Sequence, residues 1–336
     1  MSGPFVTIVV PTLNERDCII GTLEDLAASA KGIDHEIIVA DGGSTDGTCQ
    51  LVRTYAAQAG SAVRLIHNLK RIQSAAVNLA AKEADVRATI LLRADAHCFY
   101  PPGFVAMTVD ALSQNDAQSV VVPMFTVGDK DSYQQAVALA QNSKLGNGGS
   151  AHREGDTPSG FVDHGHHAAF DLEFFRSLGG YDETFKTNED AEYDARVAKA
   201  GGRIWMAREA EINYLPRRSP SALAKQYFGY GRGRCATIMK HRMRPKARQM
   251  APLLIFATMT LSLVSLPVCM FSLLPIIGYV GLTLLYSAKI TAGLSVRSAA
   301  TLKVCSAFVI MHNAWGAGFI AGLVDHFFRP KKGVAK

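Results

Sequence analysis

Short apolar runs alternate along the first two thirds of the chain with longer stretches whose apolar side chains recur at helical spacing. Phe5–Val10, Glu36–Ala40, Val63–Ile66, Ala88–Leu92 and Ser119–Phe125 read as strands. Asp17–Ala30, with Ile19, Ile20, Leu23 and Leu26 in register, reads as a helix, as do Thr48–Ala59, Gln73–Ala84, Pro101–Leu112 and Tyr133–Ser143. A further helix opens at Asn188-Glu189-Asp190 and runs to about Ala200. Strands alternating with helices predict an α/β domain, a mostly parallel sheet with right-handed crossovers and helices on both faces. Leu145–Gly160 has no apolar period and reads as a loop of the kind that often serves as a lid.

The pattern places polar clusters at strand ends, where open α/β sheets bind ligands. The apolar run Ile37-Ile38-Val39-Ala40 ends in Asp41-Gly42-Gly43-Ser44-Thr45-Asp46-Gly47-Thr48. Glycines there let a ligand approach the backbone. Asp41 can accept hydrogen bonds from ribose or a base edge, and Asp46 or Thr45 can cap the next helix. A tight turn with an Asx cap explains the same residues without a ligand. Asp95-Ala96-His97 follows the strand ending at Leu92; in extended backbone the two side chains share one side and suit Mg²⁺ or Mn²⁺. An Asp turn beside a packed His is the alternative. His164 and His166 are expected on one strand face with His167 opposite, more a sugar or lid lining than a zinc site.

Composition changes the picture in three places. The net charge of +6 is local: Ile212–Met250 holds ten Lys/Arg and no acid. One basic face suits phosphates or anionic lipid, and no helix-turn-helix, zinc or RNP pattern supports nucleic acid. Six scattered cysteines with no paired spacing suit a reducing compartment. With no N-terminal signal pattern, the soluble part is expected in the cytoplasm.

The tail departs from the alternating pattern. Ala251–Ala288 is 38 residues without a charge, and Val304–Val324 is another 21. At about 20 residues per span these predict two or three membrane segments, with Pro267 and Pro275 where the first stretch turns. Gly318 and Gly322 form a GxxxG pair suited to close helix packing. Three spans would carry Arg329, Lys331, Lys332 and Lys336 to the far side, against the positive-inside tendency.

Taken together, Val9-Val10-Pro11-Thr12-Leu13-Asn14-Glu15, Asp41 to Gly47, Arg93-Ala94-Asp95-Ala96-His97, Gly179-Gly180-Tyr181-Asp182 and Asn188-Glu189-Asp190 resemble the family 2 inverting glycosyltransferases of GT-A fold, over residues 4–235. Tyr230-Gly231-Arg232-Gly233-Arg234 and the tail resemble the subgroup that adds glucose in succinoglycan-type exopolysaccharide synthesis. The resemblance implies a donor-nucleotide site at Pro11, Thr12, Asn14, Glu15, Asp41, Ser44, Arg71 and Asp95. It implies a Mg²⁺ or Mn²⁺ cofactor at Asp95 and His97, and Asp190 as the catalytic base. Acceptor or diphosphate contacts fall to His166, Glu189, Arg232 and Arg234. His97 replaces the second acid of the usual Asp-x-Asp, and the Gln-x-x-Arg-Trp element is not intact.

The implied organisation is a catalytic domain 1–235, a basic linker 236–250, a membrane region 251–326 and a basic tail 327–336. The implied partners are a UDP-sugar donor, a polyprenyl-diphosphate-linked saccharide acceptor and the cytoplasmic membrane, with the catalytic domain on the cytoplasmic side. A polyprenyl-phosphate sugar transferase would share these motifs. A nucleotide-cofactor dehydrogenase would need a G-x-G-x-x-G turn after the first strand, where Pro11-Thr12-Leu13-Asn14-Glu15 stands instead. A membrane-anchored sugar-nucleotide-binding protein without catalysis would not need Asn188-Glu189-Asp190.

Overall fold

A computed structural model of the chain describes residues 3–58, 60–129, 132–150, 153, 158–294 and 297–328. They form two compact units, one from Met1–Phe125 and Ala151–Leu215, the other from Thr126–Ser150 and Pro216–Lys336.

The first unit is built on one mixed sheet. In chain order its elements are β1 (Phe5–Thr12), α1 (Ile19–Ser29), β2 (His35–Asp41), α2 (Thr48–Ala56), β3 (Val63–His67), α3 (Gln73–Glu83), β4 (Ala88–Arg93), β5 (Cys98–Phe99), α4 (Phe104–Gln114), β6 (Ser119–Val122) and β7 (Met124–Thr126). After α5 (Tyr133–Gln141) and α6 (Lys144–Asn147), which belong to the second unit, come β8 (Gly160–Val162), β9 (His166–Asp171), α7 (Leu172–Ser177), α8 (Glu189–Lys199), β10 (Ile204–Met206) and β11 (Ile212–Tyr214). The main sheet has the order β3-β2-β1-β4-β9-β6-β10-β8. The pairs β3–β2, β2–β1 and β1–β4 are parallel; β9 runs antiparallel between β4 and β6.

The strands read as unbroken apolar runs because both faces are covered. On β1, Val6, Ile8 and Val10 join the core with Leu23 and Leu26 of α1 and Val105 and Val109 of α4. Val9 faces the other way, into a core with Val77 of α3, Phe175 of α7 and Tyr193 and Val197 of α8. Each such side chain contributes about 1.5–3 kcal/mol by leaving water.

Three expectations need adjustment. The strand expected over Ser119–Phe125 is two, β6 and β7, because Pro123 has no N–H to continue the ladder. Part of the expected Leu145–Gly160 loop is helical: Ser143 caps α6, its hydroxyl accepting from Gly146 N at 3.3 Å. The three histidines do not alternate as expected. The strand begins only at His166, and a bulge opposite Val120 and Val121 shifts its register. His164 and His167 therefore meet the same carboxylate, Asp194, while His166 faces Asp95.

The second unit holds α5 and α6 together with α9 (Pro220–His241), α10 (Ala247–Ser265), α11 (Leu274–Ile290) and α12 (Arg297–Phe328). The last three supply stretches long and apolar enough to cross a membrane: Ala247–Ser265, Met270–Ile290 and Ser298–Phe328. Pro275 opens α11, as its missing N–H permits. Residue 235, the expected edge of the catalytic domain, lies inside α9, and the expected linker 236–250 is largely the end of α9 and the start of α10. Of the expected basic tail, Arg329, Lys331, Lys332 and Lys336 lie outside the described residues.

Glycines let α9 and α12 approach. A methyl group on Gly318 would come within 2.0 Å of the Phe228 carbonyl oxygen, and one on Gly231 within 1.9 Å of the Trp315 carbonyl oxygen. Neither carbonyl can move without unwinding its helix. Gly318→Ala should lower the melting temperature of the detergent-solubilised full-length protein, at a cost of at least about 1–3 kcal/mol. Gly278→Ala, where the methyl group meets nothing within 4 Å, should leave it unchanged. Equal melting temperatures for the two variants would show that the helices do not pack this closely.

Candidate active site

The first unit gathers two groups of polar residues at the carboxyl ends of its strands. The first group joins the loops after β1 and β2. Asp41 is almost fully buried, and burial alone would raise its carboxyl. Hydrogen bonds win: Oδ1 accepts from Ser44 Oγ at 2.5 Å, and Oδ2 from the backbone N–H of Gly43 at 2.7 Å and of Ser44 at 3.0 Å, so the carboxyl lies below its ordinary value. Asp41 thus shapes the loop before it can touch any ligand. Asn14, left-handed at φ 58°, donates its N–H to Ser44 Oγ at 2.8 Å and accepts from Thr45 N at 2.8 Å. Glu15 N donates to Thr48 Oγ1 at 3.1 Å. The helix cap differs from expectation: Gly47 stands at the N-cap of α2 in left-handed backbone, φ 96°. Asp46 instead ties the loops, accepting from Arg16 N at 3.1 Å and Thr48 N at 3.0 Å. The Arg71 guanidinium lies over Gly43, where an added methyl group would sit 3.1 Å from Nη2.

The second group centres on Arg93, the last residue of β4, whose side chain is 4 % exposed. Its Nη1 donates to Asp190 Oδ1 at 2.6 Å and to the Tyr181 hydroxyl at 3.2 Å, and lies 3.6 Å from Glu189 Oε1. Its Nε reaches Asp95 Oδ1 at 3.4 Å, an oxygen that also accepts from Gln73 Nε2 at 2.6 Å. Asp95 is held low: burial opposes ionisation, but the Arg93 charge outweighs it. Burial holds the His166 imidazole neutral, with its pKa pushed down to about 4. His166 Nε2 sits 3.7 Å from Asp95 Oδ2.

Two turns place the carboxylates of α8. Gly180 is left-handed at φ 67°, and a methyl group there would lie 2.3 Å from Asn78 Oδ1. Asn78 accepts from Tyr181 N at 2.7 Å and donates to Tyr181 O at 2.8 Å, which fixes the tyrosine. Asn188 stands at the N-cap of α8 but in left-handed backbone, φ 64°, without a side-chain cap bond. Its turn aims Glu189 and Asp190 inward, toward Arg93. The two carboxyls split. Burial pushes Glu189 up, and the neighbouring Asp190 charge pushes it further. For Asp190 burial acts the same way, but Arg93 and then His167 hold it well below the ordinary carboxylate range.

These arrangements suit group transfer: a polar loop cluster and an ionised carboxylate backed by a buried cation. The glycosyl transferase family 2 profile matches residues 7–179. The chain is also 42 % identical over 318 residues to the succinoglycan biosynthesis protein ExoA of Rhizobium meliloti (strain 1021), covering 95 % of this chain and 94 % of that protein. The chain belongs to glycosyl transferase family 2. It is therefore a glycosyltransferase. Its structure is similar to that of the mannosyltransferase PcManGT from Pyrobaculum calidifontis in complex with GDP-Man and Mn²⁺, with TM-score 0.58 and 22 % identity, over 95 % of this chain and 87 % of that one. That likeness shows the fold, the expected GT-A arrangement of a mostly parallel sheet covered by helices.

Within this glycosyltransferase, Pro11, Thr12, Asn14, Glu15, Asp41 and Ser44 come together at the ends of β1 and β2, with Arg71 over the loop. Asp95, Glu189 and Asp190 meet around Arg93, with His166 at Asp95. The His97 Nδ1 lies 3.2 Å from Glu15 Oε1, and its ring packs edge-on against Tyr214. Arg232 and Arg234 lie on α9 of the second unit, and Arg232 is engaged by Asp325 at 2.6 Å. The expected diphosphate role for Arg232 thus competes with an ion pair inside its own unit. Sequence reading gave Arg93, Gln73, Tyr181 and Asp194 no role and placed His167 only as lining. The signal for Arg93 was a charge closing the apolar run Ile90-Leu91-Leu92, where burial demands partners.

A stability prediction follows from the raised Glu189. The folded state binds a proton that the unfolded state has released above about pH 4.3. The wild-type fold is therefore most favoured below that value and loses stability as pH rises toward the folded value. Glu189→Gln removes the effect, so this variant should gain on the wild type by up to about 1.4 kcal/mol per pH unit across that window. Chemical unfolding at a series of pH values reads the difference; parallel curves would show that Glu189 is not held protonated.

Proposed function

We propose that the protein is a membrane-attached inverting hexosyltransferase of exopolysaccharide synthesis. It moves a hexose, by this reading glucose, from a UDP-sugar to a saccharide carried on polyprenyl diphosphate. The observation that carries the mechanism is the Asp190 carboxylate, ionised and gripped by Arg93 Nη1 at 2.6 Å while 19 % of its side chain remains exposed. The relationship to the succinoglycan biosynthesis protein supports the pathway, and the three long apolar helices support an acceptor that resides in a membrane. The ten Lys/Arg from Ile212 to Met250 support a cytoplasmic-facing catalytic unit.

The donor's base and ribose sit against Pro11, Thr12, Asn14 and Glu15 and the loop that Asp41 and Ser44 organise, with Arg71 beside the phosphates. Asp190 accepts the proton of the acceptor hydroxyl. The acceptor oxygen forms its bond to the sugar's anomeric carbon as the bond to the diphosphate breaks on the opposite face, and the electron pair leaves with UDP. One displacement inverts the centre. Arg93 does not move in this step; it keeps Asp190 charged in a partly buried site.

Asp95 fits a divalent cation. It is ionised, its Oδ1 is oriented by Gln73 and Arg93, and its Oδ2 lies 3.7 Å from the neutral His166 Nε2. Among the described residues no three acidic, histidine or cysteine side chains converge on one point, so the other ligands must include oxygens of the donor. His97 joins only by releasing Glu15. When bound, Mg²⁺ or Mn²⁺ would neutralise charge on the departing diphosphate.

Asp190→Asn keeps the shape and removes the proton acceptor. With labelled UDP-glucose and membranes, turnover should fall by about 10²–10⁴-fold with UDP binding little changed. Near-native turnover in this variant, with loss in Glu189→Gln, would move the base to Glu189. Asp95→Ala should abolish the dependence on added divalent cation, and undiminished wild-type activity in excess chelator would refute the metal site. Product analysis separates transfer to a lipid-linked saccharide from transfer to polyprenyl phosphate itself.

A further inference from the structure

Helix α9 stands beside α12 over most of its length, and its outer face is charged. Leu223 near the start of α9 shares a core with Val304, Ala307, Phe308 and Met311 of α12. Gly231 fits against the Trp315 carbonyl, Cys235 and Ile238 pack with Phe319, and Arg232 pairs with Asp325 at 2.6 Å. The two helices thus run in the same direction, in step from Val304 to Asp325. That is about 32 Å of helix, about the thickness of a hydrocarbon core. Lys225, Arg232 and Lys240 are exposed along α9. If α12 crossed the bilayer over this stretch, these cations would stand at hydrocarbon depth, where charge is strongly disfavoured.

Helix α11 is bound to the same level. The Tyr279 hydroxyl lies 2.8 Å from His312 Nδ1, and the Thr291 and Thr301 hydroxyls are 2.7 Å apart. Tyr286 and Ile290 of α11 pack on the core that holds Leu223 of α9. Helices α9, α12 and α11 therefore lie side by side, and none can stand across a bilayer without taking Lys225 into it. The connection between α10 and α11 is apolar as well. Val268 is 87 % and Phe271 72 % exposed, and Ala251–Ala288 holds no charge. Two full spans would deliver this apolar turn to the far side. Exposed cations gather at the opposite ends of the pair: Arg242, Arg244, Lys246 and Arg248 around the start of α10, and Lys289 at the end of α11.

We propose that the second unit is monotopic. It sits in one leaflet, with α9 at the headgroups, α12 along the surface, and the α10–α11 connection dipped among the acyl chains. The partner is the cytoplasmic leaflet of an anionic bilayer, whose headgroup phosphates meet the cations that flank the hairpin. The proposal rests on the membrane attachment and cytoplasmic orientation argued above. Only residues 215–219 separate α9 from β11, so α9 starts on the side of the membrane that holds the catalytic sheet. The Arg232–Asp325 pair keeps the end of α12 on that side too. No basic stretch is then carried across the membrane, and the conflict that three spans raise with the positive-inside tendency disappears.

Sealed inner-membrane vesicles of both orientations, holding the full-length protein, test this with a membrane-impermeant maleimide read on each cysteine's own peptide. Native Cys269, exposed in the α10–α11 connection, should stay unlabelled in both orientations and react only after detergent. Lys225→Cys, on the outer face of α9, should label only where the cytoplasmic face is outward. Labelling of Cys269 from either face before detergent overturns the proposal. A second measurement asks what surrounds the connection. Phe271→Lys, an exposed position in the protein, should lower partition of the full-length protein into vesicles of phosphatidylethanolamine and phosphatidylglycerol by at least about tenfold, because the new charge must enter the acyl layer. Unchanged partition would place residue 271 in water, as two full spans require, and overturns the proposal as well. If the wild type does not float with these vesicles, membrane attachment itself falls. If it floats and Cys269 labels, only the one-leaflet arrangement falls. If Lys225→Cys labels from the opposite face, the cytoplasmic orientation falls and the proposal with it.

Discussion

The site depends on one buried guanidinium. Taking Arg93 out of water costs several kcal/mol, and a single carboxylate does not offset that. The ionised Asp190 and Asp95 share the charge, the Tyr181 hydroxyl accepts a further hydrogen bond, and the raised Glu189 lies 3.6 Å away. The consequence is mechanical as well as electrostatic. Arg93 ends β4, whose register is fixed by eight-stranded sheet neighbours on both sides, so the cation is placed by the sheet and the α8 carboxylates come to it. Asp95 and Asp190 thus hang on the same group, and any change in charge at Asp95 is felt at Asp190 without a moving part.

The Glu189–Asp190 segment is held by backbone that most residues avoid. Gly180 and Asn188 are both left-handed, and they bracket the segment that carries Tyr181 to the start of α8. Only glycine meets both demands at 180, because Asn78 fills the space a side chain would need. A non-glycine residue such as Asn188 in this conformation is uncommon and carries strain. That strain is repaid by Asn78, whose amide holds Tyr181 at both its N–H and its carbonyl, and by the aromatic packing of Tyr181 with Phe175 and Tyr193. The geometry of Asp190 is therefore set by a turn and an asparagine on α3.

Much of the first unit was legible because its strands are buried on both faces and punctuated by glycine and acid, which makes apolar runs and strand-end clusters plain in one dimension. What failed were features decided by pairing partners. The histidines were read as alternating from residue 164, but the strand starts at His166 and bulges, and Asp194, twenty-seven residues beyond His167, collects two of them. The cap of α2 failed for a related reason: Gly47 occupies the N-cap position in left-handed backbone, and Asp46 ties to the loop after β1 instead. Arg93 was quoted within a motif and given no role, because a charge at the end of an apolar run shows that partners must exist and does not say which.

The second unit shows the limit of hydropathy as a guide to surroundings. The three candidate spans are alike in composition, with mean hydropathy of 1.3, 1.6 and 1.5, yet 6 % and 11 % of the first two stretches are buried against 44 % of the third. The difference comes from glycine spacing. Gly316 admits α10, and Gly318 and Gly322 admit α9, bringing backbones close enough that side chains on these faces of α12 meet protein and not lipid. Helix α12 also spans 32 residues, about 48 Å at 1.5 Å per residue, longer than the roughly 30 Å hydrocarbon core. Its Asp325 pairs with Arg232 of α9, so that end must lie where an ion pair is tolerated. The helix that hydropathy ranks as an ordinary span is thus the one on which the unit is assembled, while α10 and α11 leave Leu254, Leu261, Leu263, Ile277, Leu282 and Leu285 exposed.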